Sequence, residues 1–311
     1  MSFVRALVTG GTGFLGSHLV DALLARGADV VCTVRKTSNL RWLAGKPVRT
    51  VESDFARALE GVTHVFHFAG VIQAPNLAEF MRGNRDLTRE LIQACRGRKL
   101  ERFVYVSSLS AAGPSPDGRP RTEEDPPAPI SNYGRSKLAG ERETRALECG
   151  GTIVRPPVVY GPRDAGLFEL FKVAASGIEP LIGARKRYSI VHAQDLISGL
   201  LAAADADPGT WFITNEEPVE SDRLATLVGR AVGGRRRRIH IPDGALVAAA
   251  DLLALAGLEV MFTPDKAKEI VQRAWVCSGA KARERLGFRP QVPLDRGLAD
   301  TAGWYRREKW I

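Results

Sequence analysis

The sequence predicts a doubly wound α/β fold, in which a parallel sheet carries helices on both faces. Short apolar runs typical of strands alternate with amphipathic runs of helical length, and a glycine-rich turn joins the first strand to the first helix. A chain of 311 residues with 44% apolar composition can bury a large core. Because parallel strands need crossover helices, this alternation predicts ligand binding beyond the carboxyl ends of the strands.

The predicted elements follow a regular order up to about residue 161. They are, in turn, the strand FVRALVTGG, the helix GSHLVDALLARG, the strands DVVCTVR and HVFHFAG, the helix LTRELIQACRG, the strand RFVYVSS, a helix from Tyr133 to about Cys149, and the strand TIVRPPVVYG. Beyond this point the segments near 166–187 and 235–311 have the pattern of separate helical additions. We therefore expect a Rossmann-type cofactor domain over 1–165 and 188–232, with a smaller interleaved substrate lobe over 166–187 and 233–311.

Charge and cysteine content argue against several classes of function. The net charge is +9, and its densest patch is the run GGRRRR over 233–238, which we interpret as a solvated turn because no nucleic-acid-reading motif accompanies it. The four cysteines are scattered without paired spacing, which predicts free thiols: Cys32, Cys95, Cys149 and Cys277. The opening residues lack a cleavable targeting pattern, so we expect a cytoplasmic protein.

The histidines do not indicate a metal site. His64, His67 and His192 have no neighbouring acids or thiols at ligand spacing, and we expect structural roles for His67 and His192.

One apolar stretch, from Ala245 to Phe262, raises the question of a membrane span. Asp251 and Glu259 interrupt it, so no uncharged run approaches the ~18 residues that a span requires. We expect a buried helix, with a helix lining an apolar substrate channel as the alternative.

The turn TGGTGFLG predicts a dinucleotide site. Its glycines Gly10, Gly13 and Gly16 form GxxGxxG between a strand and a helix. In that context Gly10 permits a tight turn, Gly13 lets the backbone approach a pyrophosphate, and Gly16 allows close packing against the helix.

The end of the second strand indicates which dinucleotide is bound. An NAD site usually places a carboxylate there, whereas this chain has Arg35 and Lys36. Two cations suit a 2′-phosphate, so we expect NADP(H) to be preferred, with NAD(H) as the alternative. Asp54 after the third strand is a candidate acceptor for the adenine amino group.

A candidate catalytic group lies in the middle of the chain. The run YGRSK places Tyr133 and Lys137 four residues apart on one helix face, and Ser108 ends the strand FVYVSS. An unperturbed phenol titrates near pH ~10, and a neighbouring ammonium favours its ionised form.

With these motifs in order, the chain resembles the extended short-chain dehydrogenase/reductases. The likeness runs from TGGTGFLG through HFAG, VYVSSLSAAGP, YGRSK, RPPVVYGP and VHAQDL to the closing residues, and SSLSAAGP is similar to the dihydroflavonol reductase and 3β-hydroxysteroid dehydrogenase branch. The resemblance implies that Tyr133 is the general acid or base, that Lys137 binds the nicotinamide ribose, and that Ser108, rather than Ser107 or Ser110, hydrogen-bonds the reacting oxygen. Asn84 matches a family asparagine near the cofactor, although a helix cap is an alternative.

The same resemblance completes the expected binding sets. The cofactor set comprises Gly10, Thr12, Gly13, Phe14, Leu15, Gly16, Arg35, Lys36, Asp54, Phe55, Phe68, Ala69, Gly70, Asn84, Val106, Tyr133, Lys137, Pro156 and Val158. The substrate set comprises Val71, Ser108, Leu109 and Tyr188. Relatives of this kind form homodimers through a face built here by residues 84–97 and 133–149, although Leu87, Leu91 and Ile92 are equally suited to pack on the parent sheet.

The reaction expected is reduction of a ketone or aldehyde by NADP(H), or the reverse oxidation of an alcohol. The alternative is a nucleotide-sugar 4-epimerase that keeps a bound NAD. Such enzymes often carry an arginine four residues before the His of IHVxD, and that position here is Tyr188, although Arg185 and Arg187 are near. Leu109 and Ser110 stand where dehydratases place an acidic pair, which argues against a 4,6-dehydratase. A non-catalytic sensor would usually lack the tyrosine or the lysine.

Overall fold

The computed structural model describes residues 4–255 and 263–311. Its strands are β1 Arg5–Thr9, β2 Asp29–Val34, β3 Val48–Glu52, β4 His64–His67, β5 Arg102–Val106, β6 Thr152–Val154, β7 Val158–Tyr160, β8 Ile178–Ile182, β9 Arg187–Tyr188, β10 Ile190–His192, β11 Thr210–Trp211, β12 Val219–Glu220, β13 Arg237–Ile241 and β14 Ala274–Trp275.

The α-helices of the described part are α1 Phe14–Ala25, α2 Phe55–Ala58, α3 Leu77–Met81, α4 Leu87–Cys95, α5 Leu109–Ala112, α6 Asn132–Arg145, α7 Phe168–Ala175, α8 Ala193–Asp205, α9 Ser221–Val232, α10 Asp243–Leu255, α11 Pro264–Ile270, α12 Ala280–Arg285 and α13 Leu294–Arg307. A π-helical turn, Arg82–Asp86, joins α3 to α4.

The central sheet has seven strands in the order β3-β2-β1-β4-β5-β6-β11, and every pairing in it is parallel. Thr9 pairs with Thr33 on one side and with His67 on the other, and His67 pairs with Tyr105. The turns after β1, β2, β4 and β5 therefore meet at one edge of the sheet. The predicted doubly wound α/β fold is confirmed.

Each face of this sheet has its own core, because successive strand residues point to opposite sides. Val8 packs in a cluster with Leu19 of α1 and Leu200 of α8. Its neighbour Leu7 packs on the other face, in a cluster with Leu91 of α4. Helices on both faces follow directly from the near-continuous apolar runs of the strands.

The helical prediction for the C-terminal lobe was only partly right. Strand β8 pairs in parallel with β13, so that Ile178 lies opposite Arg237 and Ile182 opposite Ile241. Both strands lie in segments that we expected to be helical. Helix α9, which the predicted division puts in the cofactor domain, packs on α7, α13 and β8, so the two parts interleave more closely than predicted.

The apolar segment is not a buried helix in the part that the structure describes. Helix α10 buries Ala250, but Leu252 is 66% exposed and Ala245, Ala248 and Ala249 are also exposed. The remainder of the predicted segment, 256–262, lies outside the described residues. Among the helices of residues 4–255 and 263–311, none is long and apolar enough to cross a membrane.

The two helices of the predicted dimer face lie side by side. Arg89 of α4 donates to Glu143 of α6 at 2.6 Å. Leu91 and Ile92 are buried in the cluster under the sheet with Val65 and Phe103, so these apolar positions are used within the chain. The homodimer stays a prediction from resemblance.

Candidate active site

The glycine turn between β1 and α1 leaves its backbone open to a ligand. Gly10 has φ +72°, a left-handed conformation, and a Cβ there would lie 2.8 Å from the backbone N of Ala69. Gly13 is the N-cap of α1, and no side chain in the described part of the chain caps this helix. Its first N–H groups, which include those of Phe14 and Leu15, are therefore suited to bind an anion.

The turn packs tightly on itself. A Cβ on Gly16 would collide with the carbonyl oxygen of Gly10, so a larger residue would push α1 away from the turn. This close contact holds the N-terminal end of α1 against the carboxyl end of β1.

The cations predicted to bind a 2′-phosphate lie where β2 ends. Arg35 is exposed, and its guanidinium forms no ion pair with any described residue, while its backbone N–H donates to Ser38 Oγ at 2.9 Å. Lys36 lies 3.8 Å from Glu52 and is 85% exposed. Asp54 accepts a hydrogen bond from the N–H of Arg57 and so caps α2, immediately before Phe55.

A buried polar chain supports the turn after β4. The N–H of Ala69 donates to Thr9 Oγ1, which lies 2.6 Å from His67 Nδ1, and His67 Nε2 lies 2.9 Å from Thr88 Oγ1. Because Thr88 donates to the carbonyl of Asn84, the network is satisfied by neutral His67 with its proton on Nε2. Burial, and next the positive charge of Lys137, lower the pKa of His67 to about 3. His67 is thus a structural residue, as the sequence suggested.

Asn84 connects this turn to the catalytic helix. Its side chain accepts from Val71 N–H at 2.8 Å, and it donates to Val71 O at 3.0 Å and to Ser136 Oγ at 2.8 Å. It lies inside the π-helical turn and caps no helix, so the helix-cap alternative was wrong. Phe68 and Gly70 belong to the segment that Asn84 holds, and a Cβ on Gly70 would lie 3.9 Å from Lys137 Nζ.

The structure brings Ser108, Tyr133 and Lys137 together at the carboxyl edge of the sheet. Ser108 follows β5 after Val106 and caps α5, and its side chain lies near the hydroxyl of Tyr133, where it favours the ionised phenol. Ser131 caps α6, so Tyr133 lies in the first turn of that helix and Lys137 lies one turn later. The predicted end of α6 near Cys149 was too late, because the helix ends at Arg145.

The surroundings of Tyr133 and Lys137 raise the pKa of the tyrosine and lower the pKa of the lysine. Burial, and then the negative charge of Glu269, raise the pKa of Tyr133 to about 12, against the opposing influence of the nearby Ser108 side chain. The expected shift towards the ionised phenol is therefore wrong for the protein without a cofactor. Burial lowers the pKa of Lys137 to about 7, against the attraction of Glu141. Lys137 Nζ also lies 4.3 Å from the ring centre of Tyr105.

A buried ion pair that the sequence analysis did not identify lies beneath Lys137. Glu141 accepts from Arg155 at 2.8 and 2.7 Å and from Ser107 Oγ at 2.6 Å. The hydroxyl proton of Ser107 is therefore used in its bond to Glu141. Ser110 contacts Ser108 through its backbone, since its N–H donates to Ser108 Oγ at 3.1 Å. Of the three serines, Ser108 is the one whose side chain acts on the hydroxyl of Tyr133.

The residues predicted to contact substrate border an apolar cluster. Leu109 packs with Phe212, Trp275 and Cys277, and Tyr188 packs against the same cluster. The N–H of Leu109 donates to the carbonyl of Pro156 at 2.8 Å, which joins this wall to the segment before Val158. Val71 belongs to the loop after β4 and is held there by its two hydrogen bonds to Asn84. On the other side of Tyr133, the ring of Phe80 lies 6.2 Å away, centre to centre.

The two arginines near Tyr188 have protein partners. Arg185 lies 3.6 Å from Glu220 and 3.6 Å from Asp222, and Arg187 donates to the carbonyl of Gly118.

Helix α11 contributes two carboxylates that the sequence analysis also missed. Asp265 of α11 accepts from the N–H of Asn132 at 2.8 Å and from the N–H of Tyr133 at 3.2 Å. Glu269 accepts from Ser131 Oγ at 2.7 Å. No local pattern could have identified them, since they lie more than 130 residues along the chain from the residues that they contact.

The chain is similar to oxidoreductases and to sugar-nucleotide enzymes. Ceramide reductase of Caulobacter vibrioides is 32% identical over 319 residues, which cover 98% of this chain and 95% of that protein. Sterol-4-alpha-carboxylate 3-dehydrogenase, decarboxylating, of Bos taurus is 29% identical over an alignment that covers 96% of this chain and 91% of that protein. The solved structure of MoeE5 in complex with UDP-glucose and NAD superposes with a TM-score of 0.78 at 25% identity, covering 98% of this chain and 99% of that one.

The family assignment agrees with the predicted resemblance. The sterol dehydrogenase relative is consistent with the 3β-hydroxysteroid dehydrogenase-like branch, and the relatives support an oxidoreductase. The model of the NAD dependent epimerase/dehydratase family matches residues 6–213, and the chain therefore belongs to that family, among the extended short-chain dehydrogenase/reductases.

Proposed function

We propose that this chain is an NADP(H)-dependent oxidoreductase that reduces a ketone or aldehyde, or oxidises the corresponding alcohol, on a largely apolar substrate. The observation that carries the proposal is the placement of Ser108 and Tyr133 side by side at the carboxyl edge of the sheet, one helical turn from a buried Lys137. This group can exchange a proton with a carbonyl oxygen at the sheet edge where ligands of this fold bind.

The residues present fit a dinucleotide with a 2′-phosphate. The uncapped N–H groups of α1 would hold the diphosphate, and the unpaired guanidinium of Arg35, with Lys36, would hold the 2′-phosphate. Lys137 would donate to the nicotinamide ribose. When bound, the nicotinamide supplies or accepts the hydride.

Tyr133 is the proton donor for reduction in this proposal. Its raised pKa keeps the hydroxyl protonated in the free protein at neutral pH, which is the form that gives a proton to a developing alkoxide. Ser108 donates a second hydrogen bond to the same oxygen and fixes its position. Phe80 and Leu109 restrict access of water to the reacting atoms.

An apolar substrate is supported by the wall of the site and by two relatives. Leu109 and Tyr188 belong to a cluster with Trp275 and Phe212. The relatives named above are a ceramide reductase and a sterol-4-alpha-carboxylate dehydrogenase. Both names denote enzymes of lipids, and we extend that substrate class to this chain.

The alternative, a nucleotide-sugar 4-epimerase with bound NAD, has support from the structural likeness to MoeE5. The lobe gives it less support. Arg185 and Arg187, the exposed cations near Tyr188, already have protein partners: Arg185 faces two carboxylates, and Arg187 donates to the carbonyl of Gly118.

The test is calorimetric titration of the purified protein with NADPH and with NADH, repeated on Arg35→Ala. The matched control is Arg49→Ala, an exposed arginine near the other end of the neighbouring strand β3. We expect NADPH to bind more tightly than NADH, and we expect only Arg35→Ala to remove the preference. Tight NAD retained through purification, or an NADH preference that Arg35→Ala leaves unchanged, would instead favour the epimerase.

A further inference from the structure

The N-terminal turn of the catalytic helix is held by the substrate lobe. Asp265 accepts from two successive backbone N–H groups, those of Asn132 and Tyr133. Glu269, one helical turn later on α11, accepts from the hydroxyl of Ser131, whose oxygen in turn accepts from the N–H of Gly134. Three of the orphan N–H groups of α6 are thus satisfied by this arrangement.

Glu269 is an unusual residue to find at this place. It is 5% exposed, and its cationic partner is Lys266, 3.1 Å away and itself 57% exposed. A buried carboxylate is costly unless it is well paired. A hydroxyl and one solvated ammonium compensate it only in part, so its negative charge acts on its neighbours, among them Tyr133.

We propose that Asp265 and Glu269 are positioning residues of the reaction: Asp265 fixes the backbone of Tyr133, and the charge of Glu269 keeps its hydroxyl in the protonated, donor form. The inference rests on the proposed function, in which Tyr133 gives the proton. It adds that the substrate lobe, through α11, determines both where that proton lies and how firmly it is held, which favours reduction over oxidation.

Several charged or titratable groups face Tyr133 from the elements around it. Glu269 and Asp265 lie on α11, Lys137 on α6, and Tyr105 on β5. Ser108 from the start of α5 and Phe80 from α3 are the uncharged neighbours. A negative charge near a phenol opposes its ionisation, whereas a cation near that negative charge weakens the effect.

The first experiment measures the ionisation of Tyr133 directly, without substrate. The protein is labelled with ¹³Cζ-tyrosine, Tyr133→Phe assigns the resonance, and its shift is followed from pH 8 upward. In Glu269→Gln, which keeps the shape and an acceptor for Ser131, we expect ionisation to begin about one pH unit lower. In Lys266→Met, which removes the cation beside Glu269, we expect the onset to move to higher pH.

The opposite signs of these two variants separate charge from structure. Glu284→Gln, an exposed acid on α12, is the control and should leave the onset unchanged. If Glu269 had only a structural role, Glu269→Gln would lower the stability of the protein without changing the pH at which Tyr133 begins to ionise. Lys266 is well exposed, so Lys266→Met should leave the fold intact. If neither Glu269→Gln nor Lys266→Met shifts the pH at which Tyr133 begins to ionise, the electrostatic part of the proposal is wrong.

The second experiment tests Asp265 by amide hydrogen exchange. In Asp265→Ala we expect the amides of Asn132 and Tyr133 to exchange about tenfold faster or more, because each loses a charged acceptor. The amide of Gly134, held by Ser131, is the internal control, and Asp265→Asn should restore part of the protection. Unchanged exchange at both amides would contradict the positioning role.

The two proposals can fail separately. If Tyr133→Phe leaves NADPH-dependent reduction intact, the proposed function is wrong whatever α11 does. If Tyr133→Phe abolishes reduction while both experiments above show no effect, only the role of α11 is wrong.

Discussion

Glu141 accepts two hydrogen bonds from Arg155, at 2.8 and 2.7 Å, and lies one helical turn beyond Lys137 on α6. Both side chains are almost completely buried, with 2% exposure for Arg155 and none for Glu141. The pair joins the catalytic helix to the segment after β6, at the level of the active site.

Arg155→Met is expected to lower the free energy of unfolding by about 3–5 kcal/mol, because it leaves the carboxylate of Glu141 buried with too few partners. The matched control is Arg145→Met. Arg145 bonds the same carboxylate at 3.1 Å from a half-exposed position, where such pairs contribute about 0–1 kcal/mol. Urea unfolding gives the free energy of unfolding of both variants. If Arg155→Met and Arg145→Met lower it equally, the burial of Arg155 does not make its ion pair more important for stability.

Tyr133→Phe is expected to reduce NADPH-dependent turnover of an apolar ketone by about 10²–10⁴-fold, the usual contribution of a positioned general acid. NADPH affinity should fall far less than turnover, because the glycine turn and Arg35, which are proposed to hold the phosphates, are unchanged. Steady-state kinetics and calorimetry give the two quantities. Full turnover in this variant would show that Tyr133 is not the proton donor.

Asn84→Ala is expected to destabilise the protein by about 1–3 kcal/mol and to weaken NADPH binding. The change leaves Val71 and Ser136 without their buried partner and loosens the loop after β4. Asn76→Ala provides the comparison. Asn76 caps α3 at an exposed site, so its loss should cost about 0.5–2 kcal/mol and leave NADPH affinity as it was.

His67 should make the fold sensitive to acid. Its folded pKa of about 3 lies below the ordinary value of 6.5, so the unfolded chain binds the extra proton between these values. The stabilisation is complete above pH 6.5 and is lost as the pH falls towards 3. When the pH falls below 6, the free energy of unfolding should decrease less in His67→Gln than in the unchanged protein. The difference should be about 1.4 kcal/mol for each pH unit. Unfolding at pH 7 and pH 5 checks this, with the exposed His240→Gln as control.

Local patterns in the sequence were enough to predict the cofactor edge of the fold. The glycine turn, the cations at Arg35 and Lys36 and the pair Tyr133 and Lys137 each depend on residues close in the chain, and parallel pairing brings the strand ends together. Each of these signals combines a periodicity with a special residue type, so it can be recognised in a single sequence.

The lobe could not be predicted in the same way. Pairing of β8 with β13 depends on a partner about 60 residues away, and five-residue runs such as Ile178–Ile182 give no clear period. Apolar composition suggested that α10 is buried, but burial depends on what packs against a helix, and Leu252 is exposed. Asp265 and Glu269 are ordinary surface residues by sequence and acquire their role from tertiary contact alone.

The hydrogen bond that the N–H of Tyr133 donates to Asp265 of α11 can form only late in the synthesis of these residues. Tyr133 leaves the ribosome 132 residues before Asp265, which corresponds to roughly 7–26 s at common rates of synthesis. Strands β1 to β6 and the glycine turn are complete during that interval. The nascent protein therefore completes its nucleotide-binding edge before the backbone of Tyr133 gains its bond to Asp265.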